Sequence, residues 1–213
     1  MKTHYYLGWF NNFFPQKLVE VLQSDIRNRK SLVMISSNPS SYDEVGATER
    51  SWFEQADILF DEYHVINYRV KKEDASLFIQ NASVIFLLGG DTVKQNEFIM
   101  EYELSDTIKK SNAVVMGASA GAINMSAKWI CSKNFGYNVE ESAVYEGIGL
   151  DHFSVLSHFD LENNMTMVQN ELSALSEEIN IYASNKDCAV RVKGDKIDIF
   201  GDVYLISNAI MQN

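Results

Sequence analysis

The chain has 213 residues, 46% of them hydrophobic and 22% charged, with a formal net charge of −11 at pH 7. That length and composition suit one α/β domain over residues 1–213, since no Pro-, Gly- or Ser-rich linker divides the sequence. The acidic balance excludes nucleic acid and anionic membrane as partners, because both need clustered cations and Lys71-Lys72 and Lys109-Lys110 are isolated pairs.

Short apolar runs alternate with helical patterns, which predicts an α/β fold with a mostly parallel central sheet covered on both faces, a three-layer α/β/α sandwich. Tyr5 to Leu7 reads as the first strand, and Pro15 opens a helix carrying Leu18, Val19, Leu22 and Ile26 on one face. The aromatic run Tyr5, Tyr6, Trp9, Phe10, Phe13 and Phe14 lacks basic neighbours and reads as core and loop packing. Leu32 to Ile35 is a buried strand. A second helix carries Val45, Trp52, Phe53 and Ala56, Tyr63 to Asn67 is the next strand, and Asp74 to Asn81 a short helix. Val84 to Leu88 is the strongest strand and ends in Gly89-Gly90-Asp91, after which a helical stretch runs from Thr92 to Lys110.

Ala113 to Met116 is an apolar run of strand length, followed by Gly117-Ala118-Ser119-Ala120-Gly121 and then by a helix start. A serine between small residues at a strand-to-helix turn is a nucleophile-elbow pattern. Such a turn cramps the serine backbone, turns its hydroxyl outward and leaves the Ala120 amide at a helix N-terminus, where an oxyanion is stabilised. The plain alternative is a tight turn with Ser119 capping the helix.

Lys128 to Tyr145 carries no clear period. Phe153 to Ser157 reads as a strand, and a helix follows with Met165, Val168, Leu172, Leu175 and Ile179 inward. Ile181 to Ala183 is a further strand. Three closing strands fit Cys188 to Lys193, Lys196 to Phe200 and Val203 to Ile206, with an antiparallel hairpin turning at Gly194-Asp195.

A serine hydroxyl needs a base, and the chain offers four histidines, His4, His64, His152 and His158. Catalytic groups of an open α/β sheet collect at the carboxyl ends of its strands. His158 follows a strand, as Ser119 does, whereas His152 begins that strand and His4 and His64 sit at or before strand starts. His158 is therefore the expected base and Asp187, past the strand at Ile181, the first choice of acceptor for its other nitrogen. Asp160 fits the following loop or helix better. Gly89-Gly90-Asp91 offers a second backbone amide for the oxyanion, or a tight turn with Asp91 capping the next helix. A P-loop is disfavoured, since its Lys-Ser/Thr ending is absent.

Cys131 and Cys188 lie far apart, without metal-ligand spacing, so no metal and no cofactor is expected. No apolar run approaches membrane-spanning length and Met1 to Phe10 does not read as a signal peptide, which makes the cytoplasm the expected location.

Leu87-Leu88-Gly89-Gly90-Asp91-Thr92, Gly117-Ala118-Ser119-Ala120-Gly121-Ala122 and Gly147-Ile148-Gly149-Leu150 leading to Ser157-His158-Phe159 together resemble the dipeptidase E and cyanophycinase group of serine peptidases. The resemblance runs from about Leu32 to the C-terminus and implies a fold like that of class I glutamine amidotransferases, with serine at the elbow. It implies Ser119 as nucleophile, His158 as base, and the amides of Gly90 and Ala120 as the oxyanion hole. Many members carry Asn where Asp91 stands, so the substrate contact expected at Asp91 differs from theirs. Dipeptidase E-like members place an Asp shortly after the elbow helix, where this chain has Asn134, a substrate contact or an alternative partner for the histidine. The cyanophycinase-like branch has an acid further on, which fits Asp187. Asp160 to Asn164 contains no cation, which argues against cleavage after an N-terminal aspartate.

The expected function is hydrolysis of amide bonds in small peptides. Alternatives are a catalytically silent small-molecule-binding member of the fold and an α/β-hydrolase esterase. The esterase order of serine, acid and then a late histidine is not met, because no histidine follows His158. A thiol-dependent amidotransferase is disfavoured by the serine at the elbow.

Overall fold

The computed structural model describes residues 2–41, 45–160 and 171–212. Its centre is a seven-stranded sheet in the order β11-β10-β1-β5-β4-β2-β3. Strands β1 (Thr3–Leu7), β2 (Ser31–Ile35), β3 (Glu62–Ile66), β4 (Val84–Leu87) and β5 (Val114–Ala118) run parallel. The hairpin of β10 (Ala189–Lys193) and β11 (Lys196–Phe200) adds antiparallel to β1.

Period-two alternation assigns each strand's side chains to two cores. Tyr5, Leu7, Leu32, Met34, Val84 and Phe86 point to one face, where they meet α1 (Gln16–Asp25) and α2 (Ala47–Gln55) through Leu18, Leu22, Trp52 and Phe53. Tyr6, Val33, Ile35, Ile85, Leu87 and Val115 point to the other. There they meet α3 (Lys72–Asn81), α4 (Thr92–Glu101), α5 (Leu104–Lys110) and α6 (Ala120–Met125). Apolar runs without polar alternation are what two covered faces require. Among the described residues no helix is long and apolar enough to cross a membrane.

The stretch from Thr92 to Lys110, expected as one helix, is two, broken where Glu103 takes a left-handed φ of 56°. The break lets α5 turn back so that Leu104 and Ile108 enter the core. Lys128 to Tyr145, left without assignment, contains β6 (Lys128–Cys131) and the short 3-10 turn Lys133–Phe135. Antiparallel to β6 runs β7 (Ala143–Glu146).

The third closing strand forms where expected. Strand β12 (Val203–Ser207) belongs to a second sheet, order β13-β12-β9-β8. Its other members are β8 (Ser154–Leu156), β9 (Ile181–Ser184) and β13 (Ile210–Gln212). A small core of Leu156, Phe159, Leu172, Leu175, Ile179 and Ile206 lies between this sheet and α7 (Ser173–Glu178). The expected inward positions Met165 and Val168 lie outside the described residues.

Two buried polar clusters clamp the first strand. Asp25 accepts hydrogen bonds from Tyr5 Oη (2.7 Å), Arg191 Nε (2.8 Å) and Lys193 Nζ (2.7 Å), tying the end of α1 to β1 and β10. Burial pushes its carboxyl up, but these donors outweigh burial and hold it below its ordinary value. On the opposite face Asp151 pairs with His4 Nδ1 at 2.7 Å and accepts from Tyr6 Oη at 2.7 Å.

Candidate active site

Ser119 stands between β5 and α6 with φ 49° and ψ −108°, a conformation that L-residues adopt only under strain. Its amide donates to Leu7 O at 3.0 Å, and its side chain makes no capping bond to α6. The hydroxyl faces outward. It lies 2.7 Å from His158 Nε2.

His158 follows β8 and is itself at φ 60°. Its neighbours hold it there: Ser157 Oγ donates to Ser119 O at 3.4 Å, and the Phe159 amide donates to Ser184 O at 2.9 Å. Both partners of the short contact thus sit on left-handed backbone braced by packed strands. The other histidines are elsewhere. His4 is committed to Asp151, His152 is exposed, and His64 lies mid-strand in β3, stacked on Phe78 at 4.2 Å.

A pocket of about 840 Å³ opens over this pair, lined among others by Gly90, Asp91, Asn134, Tyr137, Ser119 and His158. That volume suits a small molecule or short peptide. Asp91 caps α4, its Oδ1 accepting the Lys94 amide at 3.0 Å while Oδ2 pairs with Lys94 Nζ at 3.2 Å. Tyr137 Oη donates to Thr92 Oγ1 at 3.3 Å, fastening the loop after β6 to the start of α4. Asn134 donates its side-chain amide to Glu171. Ala120 begins α6, so its amide has no acceptor within the helix.

The structure does not bring every expected residue to the imidazole. Asp187 follows β9 as expected, but its carboxylate is exposed and its amide bonds Trp9 O at 3.1 Å. Among the described residues no hydrogen bond joins Asp187 or Asn134 to His158. Asp187 takes φ 54° in the turn between β9 and β10, where its backbone rather than its carboxylate is anchored. A cation acts on the ring. Burial, and after it the Lys186 ammonium, hold the imidazole below its usual value of 6.5.

That shift has a sign that can be checked. The His158 ring should therefore titrate with its midpoint below pH 6.5. Lys186→Met removes the cation and should move that midpoint upward. An NMR titration of the His158 ring reads both values without needing turnover. A midpoint above 6.5 in the unaltered protein, or no upward move in the variant, contradicts this electrostatic picture.

Three side chains near the site were not singled out in the sequence. Ser37, Glu49 and Gln95 all bond the backbone between Leu88 and Gly90. Glu49 left a readable trace: with Trp52, Phe53 and Ala56 it completes a helical period, a carboxylate on an apolar face. Ser37 and Gln95 left none. Among the described residues no group of three or more His, Cys, Asp or Glu could hold a metal.

Comparison with known proteins places the chain in a family. The model of peptidase family S51 matches residues 14–200. The chain belongs to peptidase family S51. A cyanophycinase from Geminocystis herdmanii (strain PCC 6308) is 25% identical over 142 residues, covering 62% of this chain and 52% of the relative. The chain thus spans about half the length of that curated relative. The crystal structure of a peptidase from an acI-B1 Actinobacterium superposes with a TM-score of 0.69 at 20% identity, covering 100% of this chain and 93% of the other. A peptidase E candidate from Listeria monocytogenes EGD-e gives 0.64 at 16% identity, covering 94% and 98%. These two likenesses establish a shared fold, the mostly parallel sheet with antiparallel strands at its C-terminal end. The S51 match includes the segments around Gly90, Ser119 and His158.

Proposed function

We propose that this S51 member is a serine-type peptidase that cleaves amide bonds of small peptides, with Ser119 as nucleophile and His158 as base. The observation that carries this reading is the 2.7 Å contact between Ser119 Oγ and His158 Nε2 at the floor of an open pocket. Its reactants are pre-positioned, so no side-chain search precedes reaction.

In the proposed mechanism a peptide carbonyl sits over Ser119. His158 Nε2 accepts the hydroxyl proton as Oγ attacks the carbonyl carbon, and the imidazolium then gives that proton to the leaving amine. The Gly90 and Ala120 amides receive the tetrahedral oxyanion, aided by the N-terminus of α6. Water then attacks the acyl carbonyl carbon while giving a proton to the same imidazole, which returns it to Ser119 Oγ as the acid departs. Asp91 and Asn134, both on the pocket wall, contact the substrate.

The dyad suffices for this cycle, and separate Asp187→Asn and Asn134→Ala variants test whether a third group helps. A dyad leaves kcat within about threefold in both, because removing an orienting acid from a working triad costs about 10⁴. A loss of that size in either variant identifies the missing partner.

The Lys186 charge beside the imidazole favours a second reading, a small-molecule-binding member without turnover, since a cation opposes the imidazolium formed in acylation. Screening the purified protein against dipeptides and isoaspartyl dipeptides separates the two. The peptidase reading expects cleavage that Ser119→Ala abolishes; saturable binding without cleavage supports the silent reading.

A further inference from the structure

The turn that carries Gly90 is held by more side chains than a turn needs. Gln95 Nε2, fully buried in α4, donates to Leu88 O at 3.0 Å and to Ile35 O at 3.1 Å. The Glu49 carboxylate, 5% exposed in the first turn of α2, accepts the Gly89 amide at 3.3 Å. Ser37, just past β2 and 7% exposed, donates its hydroxyl to Gly89 O. Three successive polar atoms of the backbone, Leu88 O, Gly89 N and Gly89 O, are therefore committed to side chains. The next polar atom is the Gly90 amide.

Peptide geometry gives this arrangement a direction. The 89–90 unit is trans, so its carbonyl and its N–H point opposite ways. Holding Gly89 O on Ser37 fixes where the Gly90 N–H points, and Gly90 borders the pocket that holds Ser119. A carbonyl that accepts a hydrogen bond also makes the N–H of its own peptide a stronger donor. Gly90 has φ 130°, and a Cβ there would run into the Ser37 hydroxyl, so glycine and serine are matched to each other. On the other side, burial pushes the Glu49 carboxyl above its ordinary value, with the amides of Glu49 and Gly89 opposing. A buried carboxylate whose named partners are backbone amides is an expensive way to finish a turn, unless the position of that turn matters.

We propose that Ser37 and Glu49 are positioning residues for acyl transfer: they lock the backbone from Leu88 to Gly90 so that the Gly90 N–H is aimed at the carbonyl oxygen of a substrate on Ser119. The inference rests on the serine-peptidase reading above and deepens it. Neither residue touches the reacting atoms, and both act through the peptide they hold.

The test is saturation kinetics of Ser119 phosphonylation by a fluorophosphonate, whose phosphoryl oxygen stands in for the peptide carbonyl oxygen. Deleting an oxyanion donor outright costs about 10² to 10³, so misaiming one in Ser37→Ala should lower kinact about tenfold with KI unchanged. Ser37→Thr keeps a hydroxyl and should recover to within about threefold of the unaltered protein, as should Glu49→Gln, which keeps an acceptor oxygen. Glu49→Leu should fall like Ser37→Ala. Should Ser37→Ala lose its cooperative melt, Ser37→Val, the shape of Ser37→Thr without the hydroxyl, is read in its place. Unchanged kinact in Ser37→Ala (or Ser37→Val) and Glu49→Leu overturns the proposal, whatever happens to their melting temperatures. An unaltered protein that takes no label at Ser119 overturns the peptidase reading and this one with it, so the two failures are told apart.

Discussion

His158→Ala should lower kcat on any peptide the protein cleaves by about four orders of magnitude or more, with KM nearly unchanged. The size follows from the absence, among the described residues, of a second imidazole at the site. His4 is bound to Asp151, His64 is stacked on Phe78 in β3, and His152 is exposed at the start of the segment leading to β8. Removing the imidazole leaves Ser119 Oγ with a protonated, weakly nucleophilic hydroxyl. What survives is the catalysis due to binding and the backbone amides. The fold should tolerate the change, because the loop is held through Ser157 Oγ and the Phe159 amide rather than through the ring. Steady-state kinetics beside a thermal melt checks both halves of the expectation. A His158→Ala variant that retains more than a hundredth of the turnover would mean that another group takes the serine proton.

The second large effect is structural. Gly121→Ala should cost about 3 kcal/mol of stability, toward the upper end of what overpacking produces. The elbow helix α6 crosses the end of β4 so closely that a Cβ at Gly121 would run into the Leu87 carbonyl, lying 2.6 Å from its carbon and 2.7 Å from Leu87 Cβ. Backbone atoms of a central strand cannot yield as a side-chain tip can. Relief requires moving α6, which carries Ala120 and is tied to α4 through Asn124, whose Nδ2 donates to Thr92 O (3.0 Å) and Gln95 Oε1 (3.1 Å). For a protein of this size that loss corresponds to a melting temperature lower by roughly 6 to 12 °C. Calorimetry decides it: a variant melting within a degree or two of the parent shows that α6 has more freedom than this packing allows.

The legible parts of the fold were those whose signal is local. Strands buried on both faces announce themselves as unbroken apolar runs, and the elbow does so as small residues around one serine after such a run. Ser119 and His158 could be paired from sequence because each closely follows a short apolar strand, although β5 and β8 lie in different sheets. The break at Glu103 was hidden, since a glutamate in left-handed conformation carries no breaker signature and the apolar period continues through it. The place of β12 in a second sheet was hidden for another reason. Its partner β9 is non-local, and strand composition alone does not choose between two possible neighbours. At the site, Asp187 was placed at the correct strand end, yet strand order does not say which way a turn directs its side chain. The cation that acts on the imidazole is its neighbour Lys186. Ser37 was illegible because its importance lies in one backbone oxygen 52 positions away in sequence.

The pairing of one pocket-lining hydroxyl with one imidazole is tested most directly by covalent capture. The purified protein is treated with a fluorophosphonate, its intact mass is measured, and the adduct is located by peptide mass spectrometry. The account predicts a single phosphonyl adduct on Ser119 that is absent in Ser119→Ala and strongly slowed in His158→Ala. No adduct, an adduct on another residue, or labelling of Ser119 at the same rate without His158 would contradict it.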